Sequence, residues 1–282
     1  MILSSTLVKS FFLNGSKRAY CPYRIKNMLI DRKYDISSDA INKGNFFETL
    51  CIGHTRGGSM VTDLPRKRNG DKTIDQKRIE RQAETFKELA KKYKIELVDE
   101  NVQVLLKKKL ANNIFLHGHP DIFPVHVKDP EIGDVIAVID LKLAKSIRNT
   151  FGEYCWGDYE RYDDIQAQCY MYLAEDLDLE LNDHLNPDLF KYFSKGLDVR
   201  FYYWVFSYYE GRFQKEYVPL ENKIIRAEKS PLKRLEMLES LRKTYSLMRK
   251  HEKEGWVKKE CIECNKCPIP CEHNLNPQLE PF

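Results

Sequence analysis

The feature that most constrains the fold is an apolar run, Val135-Ile-Ala-Val-Ile139, that ends directly in Asp140-Leu-Lys142. A short run of this composition predicts a buried β-strand. Side chains alternate between the two faces of a strand, so Asp140 and Lys142, two residues apart, point to the same face. A charged group entering a buried strand is costly unless it has a partner. We therefore expect a partner that compensates the charge of Asp140.

A second carboxylate precedes this strand. Asp121 closes the pattern Gly118-His-Pro-Asp and begins a predicted strand, and residues 128–134 contain the Pro and Gly that are typical of a turn. A hairpin would bring Asp121 beside Asp140. Two carboxylates in one site repel unless a cation lies between them, and hard oxygen ligands suit Mg²⁺ or Mn²⁺. Taken alone, the residues also allow a surface hairpin with scattered charges.

The rest of the chain alternates between helical and extended patterns, which predicts a mixed α/β core with flanking helices. Helices are expected at Asp39–His54 with Asp39 as N-cap, at Thr73–Lys94 with a capping box, at Arg161–Asp176 and at Pro231–Lys253. Strands are expected at Glu96–Leu106, Asn113–His117, Ile122–Val127 and Val135–Lys142, with a hairpin of Asp198–Ser207 and Arg212–Val218. Residues 55–72 are rich in Gly, Pro and basic residues and predict a loop.

Two further motifs flank the carboxylates. Upstream, Gly44-Asn-Phe-Phe-Glu48 places a carboxylate on the first long helix, where an exposed structural glutamate is the simpler explanation. Downstream, Gln166 and Tyr170 are four residues apart on a predicted helix and so share a face. Each motif is weak by itself.

In their order along the chain, these pieces resemble the RecB-like branch of the PD-(D/E)XK nucleases. The family plan is G-x-x-x-(E/H) on a helix, then G-x-x-D, then (D/E)-x-K, then Q-x-x-x-Y on a following helix. This sequence supplies Gly44/Glu48, Gly118/Asp121, Asp140/Lys142 and Gln166/Tyr170 in that order. The resemblance implies a restriction-endonuclease-like core, a central mixed sheet flanked by helices, with its catalytic motifs within residues 39–176.

The resemblance also implies a role for each residue. Glu48, Asp121 and Asp140 would hold one or two divalent metal ions, and Lys142 would orient the attacking water or neutralise the developing charge. Gln166 would position the lysine or the substrate backbone, with support from Tyr170. The sequence departs from the plan in having Asp140 where Glu is commoner; His54 is the substitute candidate if Glu48 is not a ligand.

The cysteines near the C-terminal end of the chain form a second cluster of motifs. Cys261-x2-Cys264-x2-Cys267-x3-Cys271 matches the spacing of bacterial ferredoxin-type iron–sulfur runs, with Glu272 where proline usually follows. The spacing alone allows a Zn²⁺ site of all four cysteines equally well. Cys51, Cys155 and Cys169 are expected to be core or neutral thiols.

The N-terminal segment extends the resemblance. Leu3-Ser-Ser-Thr-Leu7 and Cys21-Pro-Tyr23 look like the signature S-x-S-x-L … C-P-Y of the iron–sulfur members, the CRISPR adaptation exonucleases and AddB-type nuclease domains. There, one early cysteine joins three late ones around a [4Fe–4S] cluster. The implied ligands are four of five cysteines, Cys21, Cys261, Cys264, Cys267 and Cys271. Residues 1–30 with 255–282 would form this staple within a single nuclease domain over 1–282.

Composition and charge are compatible with a nucleic-acid partner. The formal net charge of +4 is mild. Basic side chains that could contact phosphates directly follow the proposed active-site strand, at Lys145 and Arg148. Others lie in the predicted loop, at Arg66, Lys67 and Arg68. No apolar run approaches the roughly 20 residues needed to span a bilayer, and the start lacks the order of a signal peptide. We expect an intracellular, cytoplasmic protein, in the host cytoplasm if phage-encoded, with no membrane partner.

The sequence therefore predicts a metal-dependent DNA nuclease, an exonuclease that hydrolyses phosphodiesters on single strands or duplex ends. Recombination, repair, CRISPR adaptation and phage DNA processing all fit, and protein partners in a recombination or adaptation complex are compatible with them. An endonuclease or resolvase on the same fold is the first alternative. The alternative from another class is a catalytically silent nucleic-acid-binding scaffold with a structural metal cluster.

Overall fold

The computed structural model describes residues 1–12, 20–33, 38–53, 60–148, 164–213 and 216–258. The chain divides into two compact units. The terminal unit combines Met1–Ser37 with Ser230–Phe282, and the central unit is the continuous stretch Ser38–Lys229. The expectation of a single nuclease domain over the whole chain stays a prediction.

Helices and strands are interspersed along the chain. The α-helices are α1 (Ser5–Phe11), α2 (Pro22–Ile25), α3 (Asp39–Ile52), α4 (Ile74–Lys92), α5 (Asp164–Ala174) and α6 (Pro231–Glu254). The strands are β1 (Ile2–Leu3), β2 (Leu106–Ala111), β3 (Ile114–Gly118), β4 (Ile122–Asp129), β5 (Gly133–Ala144), β6 (Asp198–Ser207), β7 (Gly211–Phe213), β8 (Glu216–Val218) and β9 (Asn222–Arg226). A π-helical turn covers Lys26–Ile30, and 3₁₀ helices cover Asp99–Asn101 and Pro187–Lys195.

The central unit is built on a mixed four-stranded sheet in the order β4-β5-β6-β9. Strand β5 runs antiparallel to β4 and parallel to β6, and β6 runs antiparallel to β9. The parallel pair requires a crossover between β5 and β6, and α5 lies on it, as expected for parallel neighbours. The protein therefore has a mixed α/β fold with a central mixed sheet flanked by helices.

Helices cover both faces of this sheet. On one face, Phe47 of α3 and Phe86 of α4 pack against Phe206, with ring centroids 5.0 and 6.2 Å apart. On the other face, Tyr170 of α5 stacks on Phe201 at 5.7 Å. Helix α4 buries an apolar stripe that repeats at the helical period, formed by Ile79, Ala83, Phe86 and Ala90. Burial of each large apolar side chain contributes about 1.5–3 kcal/mol, so these contacts fix both helix layers on the sheet.

The helix ends correct two details of the sequence prediction. Ser38, not Asp39, is the N-cap of α3, because its hydroxyl accepts the Ile41 backbone N–H at 3.2 Å. Thr73 caps α4 as predicted, but the side-chain amide of Gln76 donates to Asp63 at 2.6 Å and does not complete the capping box. At the other end of α3, Gly53 has the left-handed φ of 73° that glycine adopts at low cost.

The predicted strand at Glu96–Leu106 is wrong. Residues Asp99–Asn101 form a 3₁₀ helix, and the strand β2 begins only at Leu106. The Asn101 side chain accepts the Val98 N–H at 3.1 Å and donates to the Glu96 carbonyl at 2.8 Å. It thereby satisfies backbone groups that a neighbouring strand would otherwise pair.

The predicted hairpin of Asp198–Ser207 with Arg212–Val218 is also wrong in its pairing. Strand β6 has the predicted bounds, but its antiparallel partner is β9, whereas β7 and β8 pair with each other. After Ser207 the backbone N–H groups of Tyr208 and Tyr209 donate to the carbonyls of Ala144 and Lys145. The chain thus continues beside β5 where the sequence suggested a turn.

The terminal unit joins segments from the two ends of the chain. Helix α1 packs on α6, and the Tyr20 hydroxyl lies 2.9 Å from Nε2 of the buried His251. Burial raises the pKa of Tyr20. The Tyr23 backbone N–H donates to the Val257 carbonyl at 3.3 Å. Among the helices that the structure describes, none is long and apolar enough to cross a membrane.

Candidate active site

Asp121 lies at the start of β4 and is fully buried. Its Oδ2 accepts the backbone N–H of Leu141 on β5 at 2.6 Å. Because Ile122 pairs with Ile139, the same antiparallel register brings Asp121 opposite Asp140. The hairpin geometry expected from the sequence therefore places two buried carboxylates side by side.

Asp140 and Lys142 project from the same face of β5, as their spacing requires. The Lys142 ammonium forms an ion pair with Oδ2 of Asp140. Gln166 of α5 donates from Nε2 to the other carboxylate oxygen at 2.8 Å, in a buried hydrogen bond. The Asp140 side chain is 0% exposed and that of Lys142 is 31% exposed. Lys142 thus connects a buried carboxylate to solvent.

The second residue of the helical motif, Tyr170, forms a hydrogen bond with the segment between β3 and β4. Its hydroxyl donates to the His119 carbonyl at 2.8 Å, within the Gly118–Asp121 motif. Gly118 itself lies so close to α5 that a Cβ there would be 2.6 Å from both the Tyr170 ring and the Leu173 side chain. A larger residue would force the Tyr170 ring or the Leu173 side chain to shift, so the packing of α5 explains the glycine of the motif.

Glu48 lies on α3, half-buried, and meets the cluster through Gln103. The Gln103 side-chain amide donates to Oε2 of Glu48 at 3.4 Å, and its backbone N–H donates to the Asp121 carbonyl at 2.9 Å. Burial raises the pKa of the Cys51 thiol well above its ordinary range, and the nearby carboxylates of Glu48 and Asp121 raise it further. The α3 carboxylate is therefore adjacent to the cluster.

The oxygen donors of the site fit a hard divalent cation, since Glu48, Asp121 and Asp140 all carry carboxylates. Across the described residues, however, no three His, Cys, Asp or Glu side chains form a group that could hold a metal ion. Lys142 and Gln166 contact the two oxygens of Asp140, and the Leu141 N–H donates to Asp121.

Sequence reasoning missed Gln103. It falls in the region predicted as a strand, belongs to none of the motifs, and has a left-handed backbone with φ of 48°. In a strand, the side chain of Gln103 would point to one face of a sheet. No sequence pattern predicts the turn that instead directs this side chain to Glu48.

The predicted phosphate contacts lie in two places. Lys145 is exposed just beyond β5, whereas Arg148 donates to both carboxylate oxygens of Glu221, at 2.8 and 2.9 Å from Nε. In the loop before α4, Lys67 and Arg68 are exposed, and Arg66 pairs with Asp63 at 2.9 Å.

Among the cysteines, Cys51 and Cys169 are buried core thiols, as expected. Cys21 is buried at the N-cap of α2. The other predicted residues, His54, Cys155, Cys261, Cys264, Cys267 and Cys271, lie outside the described residues.

Comparison with known proteins shows the fold. No protein-family model and no curated protein matches the chain. The fold is similar to that in a crystal structure of a "Putative exonuclease" from Eubacterium rectale, with a TM-score of 0.58 and 17% sequence identity. The match covers 100% of this chain and 90% of that chain. At this identity the similarity concerns the arrangement of helices and strands.

Proposed function

We propose that this protein is a metal-dependent DNA nuclease of the RecB-like PD-(D/E)XK kind, acting as an exonuclease. One observation carries the proposal. Residues from separate sequence motifs lie together at one end of the β4–β5 pair: Lys142 and Gln166 contact Asp140, and Asp121 lies opposite Asp140 and accepts the Leu141 N–H. The fold shared with a "Putative exonuclease" supports the same interpretation.

In this proposal Asp121, Asp140 and Glu48 would hold one or two Mg²⁺ or Mn²⁺ ions. When bound, such ions supply an activated water and stabilise negative charge on the phosphodiester. Hydrolysis joins the water oxygen to phosphorus and breaks the bond from phosphorus to one ester oxygen.

Lys142 would supply positive charge where the transition state gains negative charge. In the structure its ammonium pairs with Asp140, at the edge of solvent. If Asp140 held a metal ion, the Lys142 ammonium would be available to a phosphate oxygen instead. Gln166 would keep Asp140 oriented, because it donates to the oxygen that does not face Lys142.

The test is a cleavage assay on end-labelled DNA, single- and double-stranded, linear and circular, with Mg²⁺ or Mn²⁺. We expect linear DNA to be degraded from its ends and Lys142→Ala to abolish cleavage while DNA binding is retained. Lys128→Ala, an exposed lysine at the far end of β4, is the matched control. Undiminished cleavage by Lys142→Ala would remove the assignment.

The substrates also separate the alternatives. Cleavage of circular DNA would favour the endonuclease or resolvase. Binding without cleavage in any metal would favour the silent scaffold.

We also propose that Cys21 and three of the four tail cysteines hold a [4Fe–4S] cluster, with Zn²⁺ as the alternative. The support is a contact within the terminal unit. The Tyr23 N–H donates to the Val257 carbonyl. Cys21 precedes Tyr23 by two residues, and Cys261 follows Val257 by four. The bond therefore brings the chain around Cys21 near the segment that leads into the cysteine tail.

Protein purified without oxygen should absorb broadly near about 400 nm and contain iron. Cys21→Ser should lose most of the metal, whereas Cys51→Ser, a change at a buried cysteine of the central unit, should keep it. Colourless protein loaded with zinc would favour the alternative. Unchanged metal in Cys21→Ser would confine the ligands to the tail.

A further inference from the structure

Gln103 occupies a backbone conformation that favours glycine. It lies between the 3₁₀ helix Asp99–Asn101 and β2, and its φ is 48°. The preceding residue, Val102, forms an antiparallel bridge with Ile122 at the start of β4. A residue with a side chain is uncommon in the left-handed region, and such outliers cluster at functional sites.

The two groups of Gln103 bind to two different elements. Its backbone N–H donates to the Asp121 carbonyl at 2.9 Å. Its side-chain Nε2 donates to Oε2 of Glu48, on α3, at 3.4 Å. The backbone bond would form equally well with glycine, which would adopt this φ at no cost. What the glutamine side chain adds is therefore the contact with Glu48.

The chemistry of the donor matters at this point. An amide N–H orients a carboxylate but leaves its negative charge intact. A lysine or arginine in the same place would neutralise Glu48 and compete with a cation. A long carboxylate side chain such as Glu48 also loses rotamer freedom when it is held, so a fixed donor lowers the cost of presenting it to a ligand.

We propose that Gln103 is a positioning residue that holds Glu48 toward Asp121 for a divalent cation. The inference rests on the proposed function of the same site. Gln103 adds a fourth element to that site, the turn before β2, beside α3, the β4–β5 pair and α5. It ties the α3 carboxylate directly to the residue that carries the Asp121 carboxylate.

The first test replaces Gln103 with glycine and measures the Tm and the Mn²⁺ affinity. We expect the Tm to rise and the Mn²⁺ affinity to fall. Gln103→Gly should raise Tm by about 2–4 °C, since it removes backbone strain. It should also weaken Mn²⁺ binding by about tenfold or more, as loss of an outer partner of a metal ligand does. Binding is measured by calorimetry on the metal-free protein, without DNA.

Lys94→Gly is the matched control. Lys94 has a similar left-handed φ of 58° just after α4 and is exposed. It should gain the same stability with no change in Mn²⁺ affinity. Equal Mn²⁺ affinity in Gln103→Gly and Lys94→Gly would overturn the inference.

A second variant, Gln103→Met, keeps the length of the side chain and its backbone strain but removes the donor. We expect an unchanged Tm, weaker Mn²⁺ binding, and a higher Mn²⁺ concentration for half-maximal cleavage with the maximal rate largely retained. Wild-type affinity in this variant would contradict the positioning role. If the wild type neither binds Mn²⁺ nor cuts DNA, the proposed function itself fails; if it does both and the Gln103 variants match it, only this inference fails.

Discussion

Each end of the β4–β5 pair buries an aspartate, and the two are held in different ways. At the turn end, Oδ2 of Asp129 accepts the Tyr202 hydroxyl at 2.7 Å. Its Oδ1 accepts the Glu131 backbone N–H at 2.9 Å and the Arg226 guanidinium at 2.8 Å. At the other end, Asp140 lies opposite a second buried carboxylate, Asp121, and its cationic partner is the partly exposed Lys142.

The difference shows that burial alone does not mark a functional carboxylate. Burial raises the pKa of Asp129, but the hydrogen bonds from Tyr202, the Glu131 backbone and Arg226 outweigh it, so that the pKa lies below its ordinary value. The donors to Asp129 come from the adjacent backbone, from β6 and from β9. Asp140 and Asp121 place two carboxylates next to one partly exposed ammonium, an arrangement suited to an exchangeable ligand.

The strongest way to break this comparison is to make the same substitution at both ends. Asp140→Asn should reduce cleavage by about a thousandfold or more, since charge stabilisation by a bound ion is worth several kcal/mol. Its Tm should change little, because loss of one of two adjacent buried charges relieves repulsion. Asp129→Asn should cleave normally when folded. If Asp140→Asn still cleaved DNA, Asp140 would differ from Asp129 in its contacts but not in function.

The second prediction concerns stability. Asp129→Asn should lower the free energy of unfolding by about 2–3 kcal/mol at pH 7, because charge-assisted bonds are lost and Arg226 keeps its charge. Urea unfolding measures the effect. Asp183→Asn, at an aspartate whose side chain is 85% exposed, is the control and should change stability very little. If Asp129→Asn left the free energy of unfolding unchanged, the hydrogen bonds of Asp129 would stabilise the fold no more than hydrogen bonds to water do.

A glycine substitution sharpens the comparison without touching a carboxylate. Gly118→Ala should destabilise the protein by about 1–3 kcal/mol, because the new Cβ would press on Tyr170 and Leu173. The shift of α5 should also weaken the hold of Gln166 on Asp140 and lower the cleavage rate.

The control for this change is Gly44→Ala, measured by urea unfolding and cleavage. A Cβ at Gly44 would meet no atom of the described residues within 4 Å, and alanine favours a helix interior by about 1 kcal/mol. We expect Gly44→Ala to be stable. Equal stability of the two variants would show that α5 can move without cost.

The smallest effect is a pH dependence. The folded pKa of Asp129 is lowered, so its contribution to stability is present above the unfolded pKa of about 3.9 and is lost as pH falls through the folded value. The stability difference between wild type and Asp129→Asn should therefore shrink from pH 6 toward pH 3. A difference that stays constant over this range would show that the carboxylate charge is not what matters.

Local patterns predicted much of the candidate site. The spacing of Asp140 and Lys142 fixed their common face, and the turn between β4 and β5 brought Asp121 opposite Asp140. These are short-range consequences of strand geometry. The helix α4 was equally predictable, because its stripe repeats at the helical period.

Long-range pairing was not predictable in the same way. The partner of β6 is β9, beyond a separate β7–β8 hairpin, and its choice depends on contacts that no local pattern encodes. The Asp129 network draws on β6 and β9 for Tyr202 and Arg226, so no motif announces it. Gln103 was hidden because its role depends on one backbone angle.

The bond between Tyr23 and Val257 has a consequence for the order of events on the ribosome. Residues 38–229 form one continuous unit, and they separate residues 1–37 from α6 along the chain. Residues 1–37 therefore leave the ribosome before α6 and must wait for it before their unit can close. At roughly 5–20 residues per second, that wait is about 10–40 seconds. During this time the Tyr23–Val257 bond cannot form, so the terminal unit closes only after residues 38–229 have been made.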